Sequence, residues 1–275
     1  MTLEHATRPA PKVRAPKFDV TAVPRHWFGG NVVATHVANG VNLLFPAGER
    51  FFVRSVRHYL DRIDDEELRA RVRGFFGQEG RHAKEHDEFN RILESQGYDT
   101  ARFLELYERI AYGFIERVSP PSLRLAATAA CEHFTAILAE NALRMRFLDV
   151  ADPRMRALLL WHACEEIEHR DVAYDVLQRC EPSYALRVAG LAVGGACLAS
   201  FWAAGTLHLL AHERKEQGTR ALFRGWRELR AHRANFSGRK PVFSNGIRQY
   251  LRRDFHPSHN DLDALAEAYL RESGL

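Results

Sequence analysis

The sequence predicts an all-α fold, and three observations support this prediction. From Asn31 onward, apolar residues recur every three or four positions, as they do in helices that bury one face. Short runs that alternate between apolar and polar residues, which are typical of strands, are rare. Helix-boundary signals are frequent; Asp152–Pro153, for example, places a good N-cap residue before a proline at the first helical position.

The helices are expected in a series of principal segments, with shorter helices following to the C-terminus. Asp64 and Asp65 can cap the third segment, which is expected to end near Gly97, a residue suited to the left-handed conformation of a helix stop. Ser119 and the two prolines after it interrupt the pattern and begin a new helix. The predicted segments are 31–44, 47–62, 65–96, 100–118, 121–148, 153–179 and 184–211.

The domain organisation is expected to have three parts. Residues 1–20 are rich in Pro, Lys and Arg and are predicted to form a flexible basic arm. Residues 21–180 are predicted to form a helical bundle. Residues 181–275 are predicted to form an apolar helix followed by a basic helical region that packs on the bundle.

The composition is that of a globular protein with a sizeable core. Hydrophobic residues make up 46% of the 275 residues and charged residues 27%, which excludes disordered, collagen-like and disulfide-scaffold classes. The four cysteines form no Cys-x-x-Cys pair and are interpreted as buried thiols of a reducing compartment. The N-terminal residues lack the apolar stretch of a signal peptide. The expected location is therefore the cytoplasm.

The charge is distributed unevenly along the chain. Between His212 and Arg253 there are twelve Lys or Arg and three Asp or Glu, a net charge of +9, so the remainder must carry −5 of the total of +4. An acidic body and a basic segment therefore require separate explanations.

Two predicted helices carry the motif Glu-x-x-His, as Glu79–His82 and as Glu166–His169. Residues three positions apart share one face of a helix, so each pair directs a carboxylate and an imidazole the same way. These faces also carry core residues such as Phe75. Ionised carboxylates are rarely buried unless they are paired or bind a metal. The motifs therefore predict either buried ion pairs or a metal site.

A second buried carboxylate precedes each motif. Glu49 lies 30 residues before Glu79, and Glu132 lies 34 residues before Glu166. This spacing returns an antiparallel helix pair to the same level, at about 1.5 Å per residue. Four carboxylates and two imidazoles then converge, as in di-iron and di-manganese carboxylate bundles, and the stretch 97–120 is long enough for the crossover of such a bundle.

Two positions near the second motif leave alternatives open. Glu165 lies four residues before His169 and competes with Glu166 as a ligand, although analogy with the first motif favours Glu166. His162 shares the face of Glu166 and is either a further ligand or a histidine that supports the site. Glu132 and Glu166 are the predicted catalytic residues. The predicted metal ligands are Glu49, Glu79, His82, Glu132, His162, Glu166 and His169.

The residues of the site resemble two known groups of proteins. The carrying stretches are residues 45–52 (FPAGERFF), 78–82 (QEGRH) and 161–169 (WHACEEIEH). The chain resembles the ferritin-like di-iron carboxylate superfamily and, more closely, a bacterial family catalogued as "predicted metal-dependent hydrolase". The likeness extends from about Arg25 to the C-terminal region. It implies a ferritin-like four-helix bundle with a long crossover and additional C-terminal helices.

The resemblance also implies a chemistry. A site rich in carboxylates and without thiolates suits two iron ions, with manganese as an alternative. The superfamily implies O₂-dependent oxidation or hydroxylation, or N-oxygenation, of a small organic or lipid-like substrate, with an electron donor that the sequence does not identify. The alternatives are a metal-dependent hydrolase that uses a dinuclear metal-bound hydroxide, and a non-enzymatic iron-binding protein.

An uncharged stretch of 23 residues, Val188–Leu210, precedes the basic segment 212–253. It is long enough to cross a bilayer of about 30 Å, but it is rich in Gly and Ala. It is interpreted as a helix buried against the bundle or across a homodimer, or as a site of peripheral contact with the inner face of the membrane. Nucleic acid is not an expected partner, because no RNA-binding module is present.

Overall fold

The computed structural model describes residues 8–234 and 242–275, and this part of the chain is helical almost throughout. Its β-structure is limited, within those ranges, to an isolated bridge between Phe28 and Ala151. The all-α prediction is therefore confirmed. The helices are α1 (Val32–Asn42), α2 (Phe45–Arg57), α3 (Glu66–Ser95), α4 (Thr100–Ile110), α5 (Pro121–Met145), α6 (Pro153–His169), α7 (Val172–Cys180), α8 (Tyr184–Gln217), α9 (Thr219–Ala234), α10 (Val242–Tyr250) and α11 (Asp263–Glu272).

The predicted boundary signals act as expected. The Asp65 side chain accepts hydrogen bonds from the first backbone amides of α3, and Asp152 does the same for α6. Gly97 follows α3 with a φ of +97°, a conformation that residues with a Cβ rarely adopt. These local rules place the helices that carry the site.

Several of the predicted helices differ in form. The segments 47–62 and 121–148 end at Arg57 and Met145, and each is followed by a short 3-10 turn. The segment 153–179 is divided at Arg170 and Asp171, whose side chains form ion pairs with residues outside it: Asp171 with Arg71 at 2.6 Å, and Arg170 with Asp263 at 2.7 Å. The segment 100–118 becomes a π-helical turn over Ala111–Glu116 after α4. Wide turns of this kind are frequent at functional sites.

Helix α5 lies at the centre of the fold, where it packs against α2, α6, α7 and α8. The contact with α8 is unusually close at Gly190, where a Cβ would lie 2.4 Å from the carbonyl carbon of Ala126 and 2.5 Å from its oxygen. These are backbone atoms, which do not move aside as a flexible side chain does. Small residues at this contact therefore allow the two helices to pack closely.

The close contact at Gly190 leads to a prediction about stability. We expect Gly190→Leu to separate α5 from α8 and to lower the free energy of unfolding by about 3 kcal/mol, the upper part of the range for overpacked cores. A Cβ added at exposed Gly80 of α3 would have nothing within 4 Å, so Gly80→Ala should raise the stability slightly. Urea unfolding of both metal-free variants checks this; equal midpoints would contradict it.

Helix α8 packs one face along α5 and α1. It is long and apolar enough to cross a membrane by length and composition alone, but the core helices of soluble proteins pass the same test. In the most apolar 18-residue stretch of α8, 22% of the stretch is buried inside the protein. The predicted basic segment continues into α9 and α10, with residues 235–241 lying outside the described part.

The N-terminal segment is described from residue 8, so the first seven residues of the predicted arm lie outside the described part. Residues 8–20 form no helix and lie against the bundle. Pro11 and Val13 occupy the space beside Gly74 and Gly77 of α3, where a Cβ would meet them at 2.5 Å and 2.3 Å. Arg14 forms two hydrogen bonds with the Glu168 carboxylate of α6, at 2.7 and 2.8 Å. This segment covers the side of the site formed by α3 and α6.

Candidate metal centre

The seven predicted ligands converge at one buried place between α2, α3, α5 and α6. Each of them is at most 4% exposed, and Glu79, His82, Glu132 and His169 are fully buried. His169 Nε2 lies 3.1 Å from Glu79 Oε1, 3.3 Å from Glu132 Oε2 and 3.6 Å from Glu166 Oε2. On the opposite side, His162 Nε2 lies 3.7 Å from Glu49 Oε1. The structure thus brings together every residue that the sequence selects.

Most of the polar atoms that face this centre are unpaired within the described part of the chain. Both oxygens of Glu49, Glu79 and Glu132 accept no hydrogen bond from it, nor does Oε2 of Glu166. The same holds for two imidazole nitrogens, His82 Nδ1 and His169 Nε2. Leaving a buried polar group unpaired costs about 1–3 kcal/mol. So many in one place indicate a bound cation.

His82 is held by Glu165, the residue that competes with Glu166 in the sequence. Glu165 Oε2 lies 3.1 Å from His82 Nε2, and its Oε1 accepts hydrogen bonds from Trp161 at 3.0 Å and Arg14 at 3.3 Å. A carboxylate only accepts, so His82 Nε2 carries the proton and Nδ1 presents its lone pair to the centre. The oxygens of Glu165 are therefore engaged, and Glu166 faces the centre.

His169 is held in the same way by Gln78. The Gln78 amide donates to Glu168 at 2.7 Å and to the Lys12 carbonyl at 3.2 Å, which leaves its oxygen to accept from His169 Nδ1 at 2.8 Å. His169 Nε2 is thus directed at the carboxylates. Gln78 directly precedes Glu79 of the first Glu-x-x-His motif but holds His169 of the second motif. Glu165 directly precedes Glu166 of the second motif but holds His82 of the first.

His162 is oriented by a chain of hydrogen bonds from α1 and α3. The Asn42 amide donates to Asn90 at 2.8 Å, so its oxygen accepts from His86 Nδ1 at 2.5 Å. His86 Nε2 then accepts from His162 Nδ1 at 2.5 Å. This leaves His162 Nε2 directed at Glu166 Oε1, 2.7 Å away. The geometry favours the ligand alternative for His162 and a supporting role for His86.

The electrostatics show an excess of buried negative charge. Burial raises the pKa of Glu49 and of Glu79 well above the ordinary value, and neighbouring carboxylates act in the same direction. Burial also raises the pKa of Glu132 to about 7, although His169 opposes the shift. Burial alone would lower the pKa of His169, but the charges of Glu166 and Glu132 raise it well above its usual range. Proton uptake thus compensates part of the charge.

Glu166 differs from the other three carboxylates. Burial by itself raises the pKa of its carboxyl group, but the charge of His169 and the close approach of His162 Nε2 hold it well below the ordinary value. Burial also lowers the pKa of His82 well below its usual value, and nearby His162 adds to this shift. An ionised carboxylate and a neutral imidazole are the protonation states that bind metal.

A second buried cluster offers a contrast, because its polar atoms are paired. Glu213 Oε1 of α8 lies 3.0 Å from His26 Nε2 and 3.2 Å from His36 Nε2, close enough for the three residues to share an ion. However, Arg25 Nε donates to the same oxygen at 3.1 Å, and the Tyr98 hydroxyl donates to it as well. A guanidinium at this position disfavours a cation. We interpret this cluster as a hydrogen-bond network that joins α1 and α8 to the segments that precede α1 and follow α3.

Fold and site together define a helical protein with a buried Glu/His cluster suited to metal ions. The model of one protein family, described as "Predicted metal-dependent hydrolase", matches residues 12–261. The chain belongs to this family, and the family resemblance noted from residues 45–52, 78–82 and 161–169 is confirmed. No curated protein and no solved structure matches the chain.

Family membership corrects the main functional prediction. The sequence suggested an O₂-dependent oxygenase, whereas the family description indicates an enzyme that carries out metal-dependent hydrolysis, which was the stated alternative. The reason for the error is chemical. Carboxylates and imidazoles in this arrangement bind the ions used for either reaction, so the ligand pattern does not distinguish oxidation from hydrolysis.

Proposed function

We propose that the chain is a hydrolase that binds two divalent metal ions at the candidate metal centre. The observation that supports the proposal is the set of unpaired buried atoms on Glu49, Glu79, Glu132, His82 and His169, all directed at one place. The donors fit the metals, because carboxylate oxygens and neutral imidazoles are the ligands that iron, manganese and zinc accept. Each histidine also has a protein partner on its other nitrogen, as metal-binding histidines usually do.

Two ions are proposed because the donors form overlapping groups. Glu79, Glu166 and His169 lie within one coordination sphere, and His82, Glu79 and Glu49 lie within another. His82, His162 and Glu166 form a third group that overlaps both. Glu79 and Glu166 each belong to two of these groups and would help to hold both ions. The high proportion of carboxylates favours iron or manganese.

The arrangement of the ligand helices supports a ferritin-like bundle as a further part of the proposal. Helix α2 packs against α3, and α5 packs against α6 and α7, so each pair supplies one glutamate and one Glu-x-x-His motif. Helix α4 and the π-helical turn lie between the two pairs in the chain, where a long crossover is expected.

The proposed reaction is the addition of water to an ester. Two bound ions supply a Lewis acid and make a water molecule more acidic. The water oxygen bonds to the acyl carbon, the carbon–oxygen bond to the alcohol breaks, and the alcohol leaves with a proton. Glu132 is the proposed proton carrier, because burial raises the pKa of its carboxyl group to about 7 and its oxygens accept no hydrogen bond within the described residues. Glu166 keeps the negative charge that binds the ions.

The proposal is tested by metal reconstitution. Protein freed of metal by a chelator should hydrolyse a 4-nitrophenyl ester only after Fe(II), Mn(II) or Zn(II) is restored. Glu79→Gln should abolish the hydrolysis, whereas Glu213→Gln, the same substitution in the paired cluster, should retain it. Hydrolysis that persists in the chelated protein would contradict the proposal.

The choice between Glu165 and Glu166 yields a separate prediction. Because Glu165 holds His82 rather than facing the centre, we expect Glu165→Gln to retain two ions per chain but to weaken their affinity by about 10–100-fold. Glu166→Gln should instead abolish the binding of at least one ion. Competition with a metal-sensitive dye and elemental analysis measure both. Loss of metal in Glu165→Gln alone would reverse the assignment.

Peripheral membrane contact remains a proposal for the surface of α8 and α9. In α9, Phe223 is 74% exposed and Trp226 is 52% exposed, and Arg220, Arg224 and Arg227 are exposed beside them. Aromatic and cationic side chains together suit an anionic lipid surface. We expect the protein to float with phosphatidylglycerol vesicles, and the double variant Phe223→Ser/Trp226→Ser to float less. Absence of wild-type flotation would contradict this.

A further inference from the structure

A cavity of about 120 Å³ lies beside the metal centre, between α2, the π-helical turn, α5 and α8. Its wall is almost entirely apolar. Aromatic rings come from α2, α4, the π-helical turn and α8, and small side chains come from α5 and α8. The wall includes Phe52, Tyr112, Ala127, Cys131, Cys197 and Phe201.

Several polar groups of the wall are paired within the described residues. The hydroxyls of Tyr107 and Tyr112 lie 2.5 Å apart, and Tyr107 also donates to the Leu44 carbonyl at 3.4 Å. Thr135 donates to the Glu132 carbonyl at 3.0 Å. The Glu49 carboxylate has no hydrogen-bond partner within the described residues, and neither has Nε of Arg124, whose guanidinium lies 4.0 Å from Glu116. The cavity therefore has an apolar body and a reactive polar position at the metal centre.

The other end of the cavity reaches the surface. Glu116 of the π-helical turn lies in the wall there and accepts two hydrogen bonds from Arg54, at 3.1 and 2.7 Å. The Arg54 side chain is 49% exposed, so this ion pair marks an opening between α2 and the turn. The turn thus shapes the entrance, and Tyr112 of the same turn reaches into the wall.

We infer that this cavity binds the unbranched acyl chain of an ester substrate, with the ester group at Glu49 and the chain extending toward Arg54. The inference rests on the proposed hydrolase function and names its substrate class. An apolar cavity excludes sugars, nucleotides and peptides, because their polar groups would lose their hydrogen bonds with water and find no hydrogen-bond partners in the wall. A methylene chain has no hydrogen bonds with water to lose, and each methylene group that leaves water contributes favourable binding free energy.

Binding is tested without catalysis, using octan-1-ol and its shorter homologues as probes of the metal-free protein. Calorimetry should show about fourfold tighter binding for each added methylene until the cavity is filled. Cys197→Trp places an indole in the cavity and should weaken octan-1-ol binding at least tenfold. Ala196→Trp, one position earlier on the exposed face of α8, is the matched control and should leave it unchanged.

A second variant guards against misfolding of Cys197→Trp. Phe201→Ala removes a ring from the wall, so the longest alcohol that still gains affinity should become longer by one or more methylenes. Affinity independent of chain length, or equal binding by Cys197→Trp and the control, would overturn the inference.

Hydrolysis of 4-nitrophenyl esters then separates the two proposals. If both hold, kcat/KM of the metal-loaded protein rises from the acetate to the octanoate; Cys197→Trp lowers the ratio of octanoate to acetate hydrolysis, and Ala196→Trp leaves this ratio unchanged. Alcohol binding without hydrolysis of any ester would reject the hydrolase and leave the chain-binding cavity in place. Equal hydrolysis of acetate and octanoate would support the hydrolase and overturn the cavity inference.

Discussion

Glu79→Gln is expected to stabilise the metal-free protein while abolishing its stabilisation by metal. Glu79 is fully buried, and its oxygens accept no hydrogen bond within the described residues. At pH 8 a neutral amide of the same shape should cost less to bury, by about 1–3 kcal/mol. In the wild type, two bound ions whose free concentrations are about a thousand times their dissociation constants should add about 8 kcal/mol to the free energy of unfolding. This corresponds to a rise of roughly 15 °C in melting temperature.

Scanning calorimetry of chelated and metal-loaded samples measures both effects. The melting temperature of the wild type should differ strongly between the two samples. That of the Glu79→Gln variant should differ little, and its chelated sample should melt at a higher temperature than the chelated wild type. A chelated variant that melts below the chelated wild type would show that Glu79 stabilises the bundle by itself. That result would remove the main argument for a bound cation.

Glu213→Gln is the matched control, because it makes the same substitution at another buried glutamate. Glu213 accepts hydrogen bonds from Arg25 and Tyr98 and contacts two histidines. The variant removes the negative charge from this network and turns one acceptor oxygen into an NH2 donor, which would face the Gln217 amide, so it should be destabilised by about 1–3 kcal/mol with or without metal. If the substitution by glutamine stabilises the chelated protein at Glu79 but destabilises it at Glu213, the opposite signs would distinguish a metal-binding carboxylate from a structural one.

Much of the site was predictable because helix periodicity determines which side chains share a face. Glu79 and His82 are three residues apart, and the predicted spacing of 30 residues places Glu49 opposite them. The capping rules placed Asp65 and Asp152 at helix starts, which the structure confirms. Such local regularities carry over from sequence to structure without knowledge of the tertiary contacts.

The supporting groups were not predicted, because they depend on contacts between distant segments. Gln78 holds His169, which lies 91 residues away, and Glu165 holds His82, 83 residues away. A signal was present nonetheless: an amide or acid precedes the glutamate in both motifs, giving the repeated pattern [Gln/Glu]-Glu-x-x-His. The contacts of Pro11 and Val13 with two α3 glycines gave no comparable signal.

The interruptions of the helices were also beyond prediction from the sequence. The π-helical turn at Ala111–Glu116 contains neither proline nor a cap, and its shape depends on packing beside α2 and α5. The division between α6 and α7 follows from the ion pair of Asp171 with Arg71 of α3. Both features arise from tertiary contacts that override a continuous helical pattern.

The metal-free protein is expected to lose stability as the pH rises from about 6.5 to 7.5. At lower pH the lowered pKa values of His82 and His86 oppose this loss, because these buried imidazoles release protons on folding. The folded state raises the pKa of Glu132 to about 7, against 4.5 ordinarily, and raises those of Glu49 and Glu79 in the same direction. It therefore binds more protons than the unfolded chain across this range, and stability falls with pH by about 1.4 kcal/mol per pH unit for each excess proton. The raised pKa of His169 acts in the same sense, since its contribution is lost as the pH rises.

Metal binding should reverse this dependence, because the ions replace the protons. Apparent affinity should rise about tenfold per pH unit for each proton displaced, so two displaced protons make binding at pH 6 about a hundredfold weaker than at pH 7. Proton release on Mn(II) addition, followed with a pH indicator in weakly buffered solution, gives the number directly. Binding without proton release would contradict the ligand assignment.

Glu213 provides the internal reference for this measurement. Burial by itself raises the pKa of Glu213, but hydrogen bonds from His36, Tyr98 and His26 lower it far below its ordinary value. Its stabilising contribution is fully present above about pH 4.5 and is lost only as the pH falls further. The slope between pH 6.5 and 7.5 should therefore be the same in Glu213→Gln and the wild type, and smaller in Glu79→Gln. An unchanged slope in Glu79→Gln would mean that the excess protons reside outside the metal centre.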